Sequence, residues 1–166
     1  GCDSLILEFL ADDLSARLGI PTTPVIPFGV HSRRQPDAPG SAGLTRKTLH
    51  RLMNELIEGW ETDAKVEETF VLTAHAADAH LEALSTIRST GRLTLIDIYA
   101  TPLPDDLRTL PADITLLRVV APDLIDSALG RPSGTEDMAP ATKLYQTIRD
   151  HVEARIRPPS PHCQAS

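Results

Sequence analysis

The sequence has only two cysteines, Cys2 and Cys163, which lie at opposite ends of the 166-residue chain. Two residues in these places cannot form the disulfide framework of a small secreted protein, and they lack the paired spacing of a structural zinc site. The sequence also shows no positively charged leader followed by an apolar stretch, so it predicts no signal peptide. These absences favour a reducing, cytoplasmic location.

Long apolar runs and basic clusters are missing as well. No run approaches the roughly 20 apolar residues that cross a bilayer. The 16 basic and 23 acidic side chains give a net charge of −7, and the basic residues form no cluster larger than an adjacent pair such as Arg33 and Arg34. A nucleic-acid-binding surface needs a concentration of positive charge. The composition therefore predicts neither a membrane nor a nucleic acid as a partner.

Apolar residues at helical spacing predict three long helices. These cover residues 4–18, 45–60 and 139–156. Asp3 or Ser4 is expected to cap the first helix, and Thr45 the second, because their side-chain oxygens can accept hydrogen bonds from backbone N–H groups. Gly19 follows the first helix, where it is expected to adopt the left-handed conformation that ends many helices.

Three short apolar runs predict β-strands. They cover residues 70–74, 93–99 and 114–120. Residues 20–30 are rich in β-branched side chains but contain three prolines, which restrict them to an edge or irregular strand. Strands and helices alternate along the chain, which favours parallel pairing with right-handed crossovers. The sequence therefore predicts a three-layer α/β/α domain over residues 1–157 with a mainly parallel sheet, followed by a loose tail over 158–166.

His75 directly follows the predicted strand 70–74, and ligands bind at the carboxyl ends of strands in open parallel sheets. Asp78 and His80 lie close after it, and imidazole with carboxylate is a workable ligand set for zinc or manganese. On a helix, residues three apart share a face, so we expect Asp78 to converge with His75 and His80 to lie on a solvated face. The alternative for His75 is a hydrogen-bonded histidine at a strand end.

Other polar residues have both a functional and a structural interpretation. Asp3 is either a ligand or a helix cap. His31, Ser32 and Arg33 follow an extended segment and either line a pocket or belong to a mobile polar loop. Asp97 lies in a strand of leucines and isoleucines, and burying a carboxylate without partners is costly. It is therefore expected near the functional edge of the sheet, or with hydrogen-bond donors around it.

Several fragments match, in order and spacing, the motifs of one known family. Residues 1–6 read Gly-Cys-Asp-Ser-Leu-Ile, residues 24–30 read Pro-Val-Ile-Pro-Phe-Gly-Val, and residues 130–133 read Gly-Arg-Pro-Ser. Together with residues 39–45 and the strand that leads into His75, they resemble the creatininase (creatinine amidohydrolase) family. The resemblance implies an α/β/α fold and a metal-dependent amidohydrolase activity.

The resemblance also implies roles for individual residues. Asp3 and His75 take the places of two metal ligands of the family, with zinc or manganese as the ion. Asp78 is implied as a replacement ligand or as a group that orients His75. In such a site the metal polarises a carbonyl and lowers the pKa of bound water. The implied reaction is the cleavage or formation of a C–N amide bond in a small molecule or peptide.

The sequence departs from the family around this site. Residues 73–78 read Thr-Ala-His-Ala-Ala-Asp in place of Asn-Gly-His-Gly-Gly-Asn, and residues 31–34 read His-Ser-Arg-Arg in place of Ser-x-Glu-His. The family's Glu-x-His ligand pair precedes the stretch with which this sequence opens. The guanidinium groups of Arg33 and Arg34 disfavour the binding of two metal ions nearby and favour a carboxylate or phosphate. His31, Ser32 and Arg33 are therefore predicted to bind an anion.

Two hypotheses for function are therefore left open. In the first, the chain is a divergent amidohydrolase that uses zinc or manganese. In the second, it is a catalytically degenerate homologue that acts as a structural or regulatory subunit or as an anion-binding module. The second hypothesis predicts no dinuclear metal pair. In either case we expect a homo-oligomer or an assembly with a paralogous subunit.

Overall fold

A computed structural model describes residues 2–30, 43–129 and 137–157, and of residues 126–129 it describes the backbone alone. The chain divides into two compact units, each with its own core. The first unit is built from Gly1–Val25 and Ile98–Ser166, and the second from Ile26–Asp97. The predicted anion-binding residues His31, Ser32 and Arg33 and the predicted tail 158–166 lie outside the described residues.

The first unit is helical. Its helices are α1 (Cys2–Leu18), α4 (Asp105–Arg108), α5 (Ala112–Val120), α6 (Pro122–Leu129) and α7 (Ala139–Ile156), with a short 3-10 helix at Ile98–Ala100. Ile6, Leu10 and Leu14 recur every four residues on α1 and are almost fully buried, as expected for an amphipathic helix. Helix α5 packs against α1 and α7. Tyr145 of α7 donates its hydroxyl hydrogen to Asp13 Oδ2 on α1 at 2.7 Å, which links these two helices.

The second unit combines two helices with a small parallel sheet. Its elements are α2 (Arg46–Asp63), β1 (Glu68–Thr73), α3 (Asp78–Ser85) and β2 (Arg92–Asp97). The strands pair in parallel, from Glu68 opposite Arg92 to Thr73 opposite Asp97. The core cluster of this unit consists of buried side chains from the helices and from the segment before α2. Its members are Val30, Leu49, Met53, Ile57, Ala83 and Leu84.

Several local predictions are confirmed. Thr45 caps α2, because its Oγ1 accepts the Thr48 N–H at 3.1 Å. Gly19 follows α1 with a φ of 67°, the left-handed conformation expected there. Helix α7 covers the predicted range. The capping role predicted for Asp3 or Ser4 is wrong, because α1 already includes Cys2 and places Asp3 in its first turn. An acidic side chain there still interacts favourably with the helix dipole.

The predicted strand over residues 114–120 is wrong, because this segment forms α5. Leu116 is buried against neighbouring helices, whereas Ile114 is 43% exposed. Strand β2 is also shorter than predicted and ends at Asp97. Among the described residues, 20–29 contain no strand, and Val30 makes an isolated parallel bridge to Leu44. The described sheet therefore has two strands, and the fold is mixed helix and strand.

Within the described ranges, no helix combines the length and the apolar character needed to cross a bilayer.

The Glu61 carboxylate near the end of α2 anchors the loop that enters β2. It accepts hydrogen bonds from the Ser89 hydroxyl, from the Thr90 N–H at 2.9 Å and hydroxyl at 2.7 Å, and from the Gly91 N–H at 3.1 Å. The Ser89 hydroxyl contributes most to lowering the pKa of Glu61, from its ordinary value of 4.5 to about 2, followed by the donors of Thr90. The charged carboxylate is therefore the form that the folded loop stabilises.

We expect Glu61→Gln to remove part of the pH dependence of stability. A carboxyl group whose pKa is lower in the folded chain stabilises the fold above its unfolded pKa, and this contribution is lost as the pH falls through the folded value. Here that window runs from pH 4.5 down to about 2. Thermal unfolding followed by circular dichroism should show a steeper fall in Tm across this window for the native chain than for Glu61→Gln.

The control for this experiment is Glu58→Gln, which changes an exposed carboxyl group on the same helix. It should leave the pH dependence of Tm at the native level. Equal slopes for the native chain and Glu61→Gln would contradict the expected role of the Glu61 carboxylate.

Candidate functional site

The candidate site lies at the carboxyl end of the parallel sheet. Strand β1 ends at Thr73, directly opposite Asp97 at the end of β2, and His75 follows two residues later. His75 is half-buried at this edge. The predicted position of His75 at a strand end is confirmed, and Asp97 ends its own strand at the same edge of the sheet, as expected.

A hydrogen bond to Val30 assigns the tautomer of the His75 ring. Its Nε2 lies 3.1 Å from the carbonyl oxygen of Val30. Because a carbonyl oxygen can only accept, we assign the ring proton to Nε2. In the neutral His75 ring the lone pair is therefore on Nδ1, which is the acceptor nitrogen of this tautomer.

His80 is buried beside His75, with 7% of its surface exposed. Its Nδ1 accepts the Val30 N–H at 3.3 Å, so the proton of the neutral ring is on Nε2 and is donated to Thr73 Oγ1 at 3.1 Å. Burial lowers the pKa of His80 to about 4, and the neighbouring His75 contributes to this shift. His80 is therefore neutral near pH 7, with both ring nitrogens bonded to its own fold.

The two rings meet edge to face, with centroids 4.9 Å apart and planes at 83°. Gly29 lies against both of them. A Cβ atom at this position would come within 3.2 Å of His75 Cδ2 and 3.3 Å of His80 Nδ1. Glycine therefore lets the backbone approach the two histidines closely.

Two predictions about the surroundings of His75 are wrong. Helix α3 begins at Asp78, so His75 lies before the helix and the expectation that it shares a helix face with Asp78 is wrong. Asp78 is exposed, and the ring that packs against His75 is that of His80. The prediction of a solvated His80 is also wrong. His80 precedes the buried Ala83 and Leu84 by three and four residues, and this helical spacing was the available signal.

Comparison with known protein families, curated proteins and solved structures finds no significant match. The creatininase resemblance therefore stays a prediction from sequence motifs. The roles predicted for Asp3 and Asp78 also stay predictions, and Asp3 belongs to the first unit whereas His75 belongs to the second.

The available donors decide how well a metal fits this cluster. Among the residues that the structure describes, no group of three or more His, Cys, Asp or Glu side chains is placed to hold a metal ion. An imidazole nitrogen suits zinc or manganese, but both ring nitrogens of His80 are already bonded within the fold. The described residues alone do not fit a two-metal centre.

Proposed function

We propose that the second unit carries a hydrolase site at the carboxyl edge of its sheet, with His75 as the general base, for a C–N amide bond of a small molecule or peptide. The observation that carries this proposal is the hydrogen bond from His75 Nε2–H to the Val30 carbonyl. A histidine that works through one ring nitrogen commonly donates the other N–H to a carbonyl or carboxylate, which fixes its tautomer and orientation. The amide substrate class rests on the creatininase resemblance.

In the proposed reaction, His75 Nδ1 takes a proton from a water molecule as its oxygen attacks the amide carbonyl. The same nitrogen then returns the proton to the leaving amine, so the histidine ends in its starting form. General base catalysis of this kind contributes about 10²- to 10⁴-fold to the rate. A bound zinc or manganese ion would polarise the carbonyl. His75 Nδ1 cannot bind an ion and accept a proton together, so the two roles exclude one another.

The test is amide hydrolysis by the full chain on a panel of small amides and short peptides, with and without added zinc or manganese. We expect His75→Gln to lower kcat/KM at least about 100-fold, because the general base is lost. His151→Gln changes a histidine on α7 of the first unit and should leave the rate unchanged. An inactive native chain, or a fully active His75→Gln, would reject the proposal.

The alternative proposal is a catalytically degenerate homologue that serves as a structural or regulatory subunit. The observation in its favour is that His80 uses both ring nitrogens within the fold. It predicts no hydrolysis of any amide and no tight metal binding. Two equivalents of zinc or manganese bound tightly, with loss of both binding and hydrolysis in His75→Gln, would instead favour a dinuclear enzyme with ligands from outside the described residues.

A further inference from the structure

Four hydrogen bonds connect His75 and His80 into a closed circuit through Val30 and Thr73. His75 Nε2–H donates to the Val30 carbonyl, and the Val30 N–H donates to His80 Nδ1. His80 Nε2–H donates to Thr73 Oγ1, which also accepts the backbone N–H of His75 at 3.2 Å. Each N–H donor in this circuit has an acceptor, and the directions of the bonds at both rings follow from the Val30 N–H and carbonyl.

We propose that His80 is a positioning residue that holds the His75 ring in its working orientation through the backbone of Val30. The effect on catalysis rests on the proposed function of His75, whereas the effect on ring orientation does not. Val30 lies in no helix or extended strand, and the bridge to Leu44 supports it on one side. His80 Nδ1 accepts a hydrogen bond from the Val30 N–H, and the Val30 carbonyl accepts one from His75 Nε2–H. Val30 therefore connects the two rings through its own backbone groups.

A histidine suits this position because it offers an acceptor and a donor at two fixed points of one rigid ring. The acceptor must meet a backbone N–H of Val30, a residue only 6% exposed. An apolar side chain in place of His80 would leave that buried N–H without a hydrogen-bond partner, which destabilises the fold. Asparagine can supply the acceptor near the place of Nδ1, and glutamine can supply the donor near the place of Nε2. These two substitutions therefore separate the two bonds of His80.

The experiment is NMR spectroscopy of the full chain labelled with ¹⁵N, which follows the His75 Nε2–H proton. A ring proton held by an acceptor and shielded from water exchanges slowly enough to be detected, whereas an unbonded ring proton at a half-exposed site does not. We expect the signal in the native chain and in His80→Asn, which keeps the acceptor for Val30. We expect it to be lost in His80→Gln, which keeps only the donor to Thr73.

Two further variants control this comparison. His151→Asn makes the same substitution in the first unit and should leave the His75 signal unchanged. Thr73→Val removes the oxygen that accepts from His80 Nε2–H and from the His75 backbone N–H, but it leaves both Val30 bonds in place, so the signal should persist. This variant tests the route through Val30 even if His80→Gln fails to fold, because loss of the signal in folded Thr73→Val would overturn the proposal.

The proposal is also overturned if the native chain shows no such signal, if His80→Gln retains it, or if folded His80→Asn loses it. When amide hydrolysis is measurable, His80→Gln should lower kcat by about 10- to 100-fold with KM unchanged, because a small misplacement of a catalytic group costs this much. If no amide is hydrolysed but the NMR pattern is as expected, the proposed function fails and the positioning of His75 by His80 stands.

Discussion

Replacement of Ile57 by alanine should lower the free energy of unfolding by about 2–5 kcal/mol. Ile57 lies on α2 with 0% of its surface exposed, inside the core cluster of the second unit. Truncation removes apolar contacts and leaves a cavity that the surrounding side chains fill only in part. Urea denaturation followed by circular dichroism measures the change, with the slope m checked for constancy.

Ile57→Val is the graded control, because it removes a single methylene group and should cost about 0.5–1.5 kcal/mol. A second comparison is Glu55→Ala, an exposed position on the same helix, which should stay within about 0.5 kcal/mol of the native chain. If Ile57→Ala costs no more than Glu55→Ala, α2 does not pack as the structure describes.

Gly91→Ala should cost about 1–3 kcal/mol, because the added methyl group meets backbone and not a flexible side chain. A Cβ atom on Gly91 would lie 2.5 Å from the carbonyl oxygen of Glu67 and 3.0 Å from its carbon. The same carbonyl accepts the Arg92 N–H at 2.8 Å, just before the first pair of the sheet. Relief of the overlap must therefore move the backbone where the parallel pair begins.

The chain offers a matched control in Gly59. This glycine lies within α2, and a Cβ atom there would meet nothing within 4 Å. Gly59→Ala should therefore stabilise the chain by about 0.5–1 kcal/mol, because alanine loses less conformational freedom in a helix. The two substitutions make the same chemical change and should move the urea midpoint in opposite directions. A shift of the same sign for both would contradict the backbone arrangement described around Gly91.

Sequence patterns predict the long helices of this fold well and its short apolar segments poorly. The spacing of Ile6, Leu10 and Leu14 persists long enough to distinguish a helix from a strand. Residues 114–120 form an apolar run too short for periodicity to decide between the two. Pro111 directly precedes α5, and Asp113 lies in its first turn, where an acidic side chain interacts favourably with the helix dipole.

For the candidate site, the sequence predicts the place of His75 but not its surroundings. The apolar run before His75 identifies a strand. Because ligands bind at the carboxyl ends of strands in open parallel sheets, His75 becomes a candidate site residue. The role of His80 depends on where α3 begins, and a shift of the helix start changes which residues face the sheet. The Val30 contacts come from a segment 45 residues before His75, and no local pattern predicts such a pairing.

The first unit is discontinuous along the chain, because Ile26–Asp97 is inserted between its two segments. Helix α1 makes its packing contacts with α5 and α7, which lie beyond the whole insertion. Bringing α1 against α5 and α7 closes a loop that contains the whole insertion, and this closure costs entropy before the packing contacts form. Contacts between residues distant in sequence also slow folding. During synthesis on the ribosome, α1 therefore emerges long before its partners. Folding of the continuous insertion first would shorten the loop that α1 still has to close.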